Sequence, residues 1–299
     1  MQATNQFPLS GIIGVVSESV DEIMLAKKNK LSCVEIRADL LLDIGLTLSD
    51  LISVVKQSHA AGLGTLVTLR HSDQGGKFTG SEQERVAINR QVLVAGADIV
   101  DLEWGTEASR ELLAQKAPMI LSNHDFTGMP SPTELASLTE NMLSEGPWAI
   151  KIVPTASTLE DAVRMLTWVN EGQEIPSESS DAAIRRIGFA MGSAGECSRI
   201  LTTAFGGAVT YTSFGKPVAP GQIALNDLIN LYRVMQLNQQ STFTAVVGEL
   251  DFTRKAVAEL NDHYQKNGEN TVAIPFPEQA ASDPEPFKKQ LRISRIFTH

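Results

Sequence analysis

Cysteine is scarce: Cys33 and Cys197 are the only two in 299 residues. Two are too few for a disulfide framework or a thiolate metal site, and Cys33 sits in an apolar strand pattern that suits a core residue. An excess of basic charge is also missing. Lys and Arg number 25 against 35 Asp and Glu, a formal net charge of −10, which speaks against nucleic acid or an anionic membrane as the main partner. No run approaches the ~18 consecutive apolar residues that a membrane span requires. The opening Met1-Gln2-Ala3-Thr4-Asn5-Gln6 has no basic stretch ahead of an apolar core, so no signal peptide is expected and a cytoplasmic protein is. Nor does a Gly-x-Gly-x-x-Gly turn follow the first apolar run. Val16-Ser17-Glu18-Ser19-Val20 stands there instead, which counts against a doubly wound, dinucleotide-binding sheet.

What is present is an alternation. Residues 11–16, 32–37, 65–70, 99–103, 119–123, 149–153, 186–191 and 208–213 read as strands. Helical patterns follow at 20–28, 48–61, 81–95, 107–115, 133–144, 158–170, 196–205 and 222–235, with a polar stretch at 171–180. Eight strand–helix units in that length fit a closed (β/α)8 TIM barrel, a fold of typically ~250 residues, and the open doubly wound sheet is the runner-up. After the barrel, 244–248, 253–266 and 270–276 read as strand, helix and strand. The expected organisation is an α/β barrel over residues 11–238 with a small βαβ-like extension over 239–299.

The sixth strand, Ala149-Ile150-Lys151-Ile152-Val153, carries a lysine inside an apolar run. Alternation puts Ala149, Lys151 and Val153 on one face and the isoleucines on the other. Lysine is rarely buried without a partner or a use. Taking an ammonium out of water disfavours its charged form and leaves a nucleophilic amine, although a strand-end lysine can also snorkel to solvent. The other carboxyl strand ends, where barrel chemistry sits, bring Glu35 and Arg37, Arg70, Asp101 and Glu103, His124, Met191 and Tyr211. Arg37, Arg70 and Arg199 suit an anionic substrate, since guanidinium forks bind carboxylates bidentately. Their charge would also favour a neutral lysine. His124 directly follows a barrel strand and can serve as a general acid or base. It has no Cys or His at ligand spacing, so no metal is expected. Lysine, histidine and arginines without a phosphate loop point to Schiff-base chemistry on a carboxylated carbonyl compound, with no cofactor required.

Several motifs then carry a family resemblance. Val34-Glu35-Ile36-Arg37-Ala38-Asp39, Thr68-Leu69-Arg70 with Gln74-Gly75-Gly76-Lys77-Phe78, Ser122-Asn123-His124-Asp125-Phe126, Ile150-Lys151-Ile152-Val153, Met191-Gly192 with Ser198-Arg199, and Ala219-Pro220-Gly221-Gln222 resemble type I 3-dehydroquinate dehydratase. They occur in the family's order from about residue 11 to 238. The resemblance implies a shikimate-pathway lyase that converts 3-dehydroquinate to 3-dehydroshikimate. It implies Lys151 as imine-forming nucleophile, His124 as proton carrier, Arg199 as carboxylate clamp, and Glu35, Arg37, Arg70 and Gln222 as substrate-binding residues. Gln74, Met191 and Tyr211 would support them, and the segment before Gln222 would form a lid. The chain departs from the pattern at Gln74, where some members have a glutamate beside the histidine, and at Val218, where many have a serine. A homodimer is expected, with 3-dehydroquinate as the small-molecule partner. Two other functions fit parts of the pattern: a class I Schiff-base aldolase, and a non-catalytic homologue that binds shikimate-pathway ligands. The extension, with its Ile274-Pro275-Phe276 phrase, weakly resembles the opening of shikimate dehydrogenase and reads as a remnant that docks on the barrel or mediates dimerisation. Its removal near residue 240 is expected to change oligomer size or solubility and to leave the chemistry.

Overall fold

Strand β1 (Gly11–Val16) pairs in parallel with β2 (Cys33–Arg37) on one side and β8 (Val209–Ser213) on the other. From β2 the parallel ladder continues through β3 (Gly64–Thr68), β4 (Ile99–Glu103), β5 (Met119–Asp125) and β6 (Ala149–Pro154) to β7 (Arg185–Gly188). The amide of Ala208, just ahead of β8, donates to the Arg186 carbonyl of β7 at 3.0 Å. The two ends of the sheet therefore meet, and the eight strands form a nearly closed barrel. This computed structural model describes residues 10–172, 185–277 and 283–298. The opening hexapeptide and positions 173–180 of the polar stretch lie outside the described residues.

Period-two alternation sorts the strand side chains into two cores. Ile13, Cys33, Leu66, Ile120, Ala149, Val153 and Ile187 belong to a cluster built mostly from strand residues, the barrel interior. Val34, Val67, Val100, Leu121, Ile150 and Ile152 pack outward into the cluster shared with the helices. Those helices are α1 (Asp21–Lys28), α3 (Leu48–Ala60), α4 (Glu82–Ala95), α5 (Glu107–Ala114), α6 (Pro132–Ser144), α7 (Leu159–Glu171) and α8 (Glu196–Leu201), which runs on as a 3-10 turn to Phe205. Thr47, Ser81, Ser131 and Thr158 each close a capping box with the acid three residues on. Each box satisfies orphan amides and fixes where its helix starts. Among the described residues no helix is long and apolar enough to cross a membrane.

The structure departs most from the expected elements in four places. A short helix, α2 (Ala38–Asp43), follows β2 directly, because Asp39 turns back to receive Arg37. Strand β7 ends at Gly188 rather than at residue 191, and Met191 makes only an isolated bridge to Thr155. The helix expected over 222–235 is broken: a π-type turn spans Asp227–Leu231, and Arg233 then adopts a left-handed conformation (φ 51°) before a 3-10 turn at Val234–Gln236. The broken backbone lets Arg233 Nη2 reach the Thr271 carbonyl at 2.6 Å. Finally, the tail holds a third strand. In it β9 (Thr242–Gly248), α9 (Leu250–Lys266) and β10 (Thr271–Pro277) are joined by β11 (Ile293–Thr298), in the parallel order β10-β9-β11. Phe243, Val272, Ile274 and Phe276 of this sheet belong to the same apolar cluster as Ile200, Leu201 and Phe205.

Candidate active site

Strand β6 places Lys151 in the barrel interior, 5% exposed. Its Nζ donates to Asp101 Oδ2 of β4 at 2.9 Å, lies 3.9 Å from Glu35 Oε1 of β2, and sits 4.5 Å from the centroid of the Tyr211 ring on β8. The other Asp101 oxygen receives Arg70 Nη2 at 2.7 Å and Ser122 Oγ at 2.6 Å. Burial is the largest influence on the Asp101 carboxyl and would raise it. The charges of Arg70 and Lys151, with the Ser122 hydroxyl, reverse that and hold it well below the usual carboxylate range. The lysine thus has a permanent counterion, a role the sequence reading left unassigned.

Arg70 continues the network outward. Its Nη1 donates to Ser122 Oγ at 2.8 Å and lies 3.3 Å from Glu103 Oε1. Glu103 in turn binds the buried Arg85 of α4, which also reaches Glu82 at 2.9 Å. Buried charges persist only when paired and hydrogen-bonded, and this chain of carboxylates and guanidiniums meets that condition. Burial works against the Arg70 charge most strongly, but Asp101, Glu103 and Glu35 together keep its guanidinium protonated.

His124 stands in β5 itself, two residues beyond Ser122, which pairs with Lys151. Burial first, then the Arg70 and Lys151 charges, push the imidazole well below its ordinary 6.5. The ring is therefore neutral at physiological pH, the form in which an imidazole can act as a base. It stacks on Phe126 (centroids 6.5 Å apart, planes at 19°), and its Nδ1 is buried without a hydrogen-bond partner. The Gln74 Oε1 is likewise buried and unpartnered, so no hydrogen bond through either atom links the two side chains.

The remaining sequence candidates close the site. Arg37 is held bidentately by Asp39 at 2.9 and 2.7 Å. Glu35 accepts from Thr68 Oγ1 at 2.6 Å. Gln222 Oε1 accepts the Val218 amide at 2.8 Å and folds the 218–222 segment over the opening. Gly221 (φ +73°) allows that turn, and a Cβ there would stand 3.0 Å from the Gly192 carbonyl oxygen. Arg199 of α8 differs from the other cations. Its guanidinium lies 4.6 Å from the Phe189 centroid and gives Nη2 to the Pro220 carbonyl at 3.0 Å, while Nε has no partner. No carboxylate lies within ion-pair distance of it among the described residues. Burial pushes its guanidinium down to about 10, still a cation at neutral pH.

Glu35, Arg37, Arg70, Gln74, His124, Lys151, Met191, Arg199, Tyr211 and Gln222 all line one cavity of about 120 Å³. Sequence reasoning passed over Asp101 as the lysine's partner and Phe126 and Thr68 as wall residues. The signal for Asp101 was available: Ile99, Asp101 and Glu103 share one strand face, as Ala149, Lys151 and Val153 do. The model of the type I 3-dehydroquinase family matches residues 13–239. The chain belongs to that family. It is 31% identical over 246 residues to a bifunctional 3-dehydroquinate dehydratase/shikimate dehydrogenase of Arabidopsis thaliana, covering 79% of this chain and 38% of that protein. It is 35% identical over 173 residues to a 3-dehydroquinate dehydratase of Dehalococcoides mccartyi, covering 56% of this chain and 74% of the relative. The solved dehydroquinate dehydratase and shikimate dehydrogenase of S. pombe shares the fold over 95% of this chain and 55% of its own (TM-score 0.61, 21% identity). For this type I 3-dehydroquinase family member the fold likeness thus runs through the tail sheet as well as the barrel.

Proposed function

We propose that this chain dehydrates 3-dehydroquinate to 3-dehydroshikimate in the shikimate pathway, through an imine on Lys151 with His124 as general acid and base. The observation that carries the reading is the pairing, at one cavity, of a buried amine held by Asp101 with a neutral imidazole and the unpaired Arg199. Asp101 stays ionised, so it aims Lys151 rather than taking its proton. We infer that His124, which lines the same cavity, is the group that accepts it. The free amine attacks the ketone, and loss of water leaves an iminium that acidifies the neighbouring C–H. His124 removes that proton and then protonates the departing hydroxyl, so the C–O bond breaks with loss of water. Hydrolysis of the imine returns the lysine. Arg199 supplies the bidentate partner for the substrate carboxylate, and the 218–222 segment shields the imine from water. The site residues named from the sequence keep their proposed roles here, with Gln74, Met191 and Tyr211 as wall and support.

We assign residues 11–238 as the catalytic barrel and 239–299 as an extension that resembles the opening of a shikimate dehydrogenase. The S. pombe fold match supports that placement. Borohydride reduction in the presence of 3-dehydroquinate, followed by peptide mass spectrometry, tests the mechanism. A ligand-sized adduct on Lys151 is expected, and its absence at saturating ligand would remove the lysine from its role. Appearance of the conjugated enone product separates dehydration from aldol cleavage.

A further inference from the structure

A guanidinium that clamps a carboxylate must itself be held in place. The Arg199 side chain has one hydrogen bond and one ring contact, so its aim depends on where α8 sits. The amino end of α8 offers no side-chain cap, since Gly195 precedes it. At the carboxyl end, Gly206 and Gly207 return their amides to the Thr203 and Thr202 carbonyls at 3.4 and 2.8 Å. The Ala204 carbonyl is one of the orphan acceptors every helix end leaves. It is filled from 88 residues away: Arg292 Nη2 donates to it at 2.8 Å.

Arg292 does more than satisfy one carbonyl. Its Nη1 donates to the carbonyls of Asn238, at 3.1 Å, and Gln239, in the connection between barrel and tail sheet. Its guanidinium lies 4.2 Å from the Phe205 centroid and 5.4 Å from that of Phe243, two rings that themselves stack 6.4 Å apart. A cation at the carboxyl end of a helical segment also complements its dipole. One side chain therefore joins the end of the Arg199 helix, the connection and β9.

We propose that Arg292 is a positioning residue for substrate binding: from the tail sheet it caps the helix that carries Arg199 and so sets the aim of that guanidinium. The inference rests on the reading of Arg199 as carboxylate clamp. Bidentate recognition of a carboxylate is demanding in geometry, and misplacement by about 1 Å is enough to matter. Lys151 and His124 stand on β6 and β5 and owe nothing to Arg292. Its loss should therefore weaken binding more than chemistry.

The test is steady-state kinetics on the full-length Arg292→Ala protein with 3-dehydroquinate, alongside borohydride trapping. KM is expected to rise about tenfold, equivalent to about 1.4 kcal/mol of binding, with kcat changed less than about twofold and the Lys151 adduct still formed at saturating substrate. Arg292→Lys keeps the cation and gives up the planar fork, and should show a smaller rise in KM. It carries the same readout if the alanine variant does not fold. A folded variant with unchanged KM, or one that loses kcat at constant KM, overturns the proposal. Failure of the wild-type protein to turn over or to trap would instead overturn the functional reading.

Discussion

His124 and Asp101 show how much the charge state of single buried groups decides. Replacing His124 by alanine should leave the Lys151 imine trappable while slowing turnover by roughly 10²–10⁴-fold, the usual worth of general acid–base catalysis. Equal turnover in single-turnover assays would exclude the role. The same ring should also shape stability against pH. In the unfolded chain His124 takes up a proton as pH falls through 6.5, but in the fold it resists protonation until far lower pH. Between those values the unfolded state binds more protons, so stability rises with pH up to about 6.5 and is flat with respect to this group above it. Urea unfolding should show a slope of up to about 1.4 kcal/mol per pH unit on the acid side, reduced in His124→Gln. Asp101→Ala should be costlier than either His124 variant, because it removes the nearest counterion from both Lys151 and Arg70, leaving only Glu35 at 3.9 Å and Glu103 at 3.3 Å. Breaking a buried pair costs about 3–5 kcal/mol, and a denaturant midpoint equal to wild type would show that the network is redundant.

At the level of elements, the loop after β3 is the place where the backbone leaves least room. A Cβ on Gly76 would stand 2.1 Å from the Arg70 carbonyl oxygen, and the Phe78 amide donates to that same oxygen at 3.1 Å. Backbone cannot yield as a flexible side chain can. Gly76→Ala should therefore lower stability by about 1–3 kcal/mol, in line with overpacking elsewhere, and it should raise KM because Arg70 is anchored beside it. A thermal melt and one substrate titration decide both parts. Strand alternation was the legible signal for the barrel elements: Ile150 and Ile152 outward, Ala149, Lys151 and Val153 inward. The break in the helix after β8 was not legible, because the contact that accompanies it, Arg233 on the Thr271 carbonyl, joins residues 38 apart in the chain. Strand β11 was missed for a similar reason. Its residues are mostly exposed, with only Ile293 buried, so it has no apolar alternation to detect and forms by pairing with β9.

For the molecule as a whole, local periodicity was enough to count eight strand–helix units, and strand ends gathered seven cavity-lining residues (Glu35, Arg37, Arg70, His124, Lys151, Met191 and Tyr211), while Arg199 came from a helix and Gln74 and Gln222 from the family resemblance. What periodicity could not supply was long-range charge pairing, Lys151 to Asp101 above all, and the way the tail sheet attaches. That attachment bears on truncation. Phe243, Ala245 and Val246 of β9 and Val272, Ile274 and Phe276 of β10 are buried in the core that also holds Cys197, Ile200, Leu201 and Phe205. Cutting the chain near residue 240 would uncover that outer face of α8 and its 3-10 continuation. Burial of apolar surface contributes about 25 cal/mol per Å², and exposed apolar patches of a few hundred Å² promote association. A chain ending at residue 238 is therefore expected to melt several degrees lower and to associate or precipitate on mild heating, with Lys151 still able to trap ligand in the fraction that remains folded. A truncated barrel that melts with the full-length protein and stays dispersed would mean that the shared core holds the tail to the barrel without supporting the barrel in return.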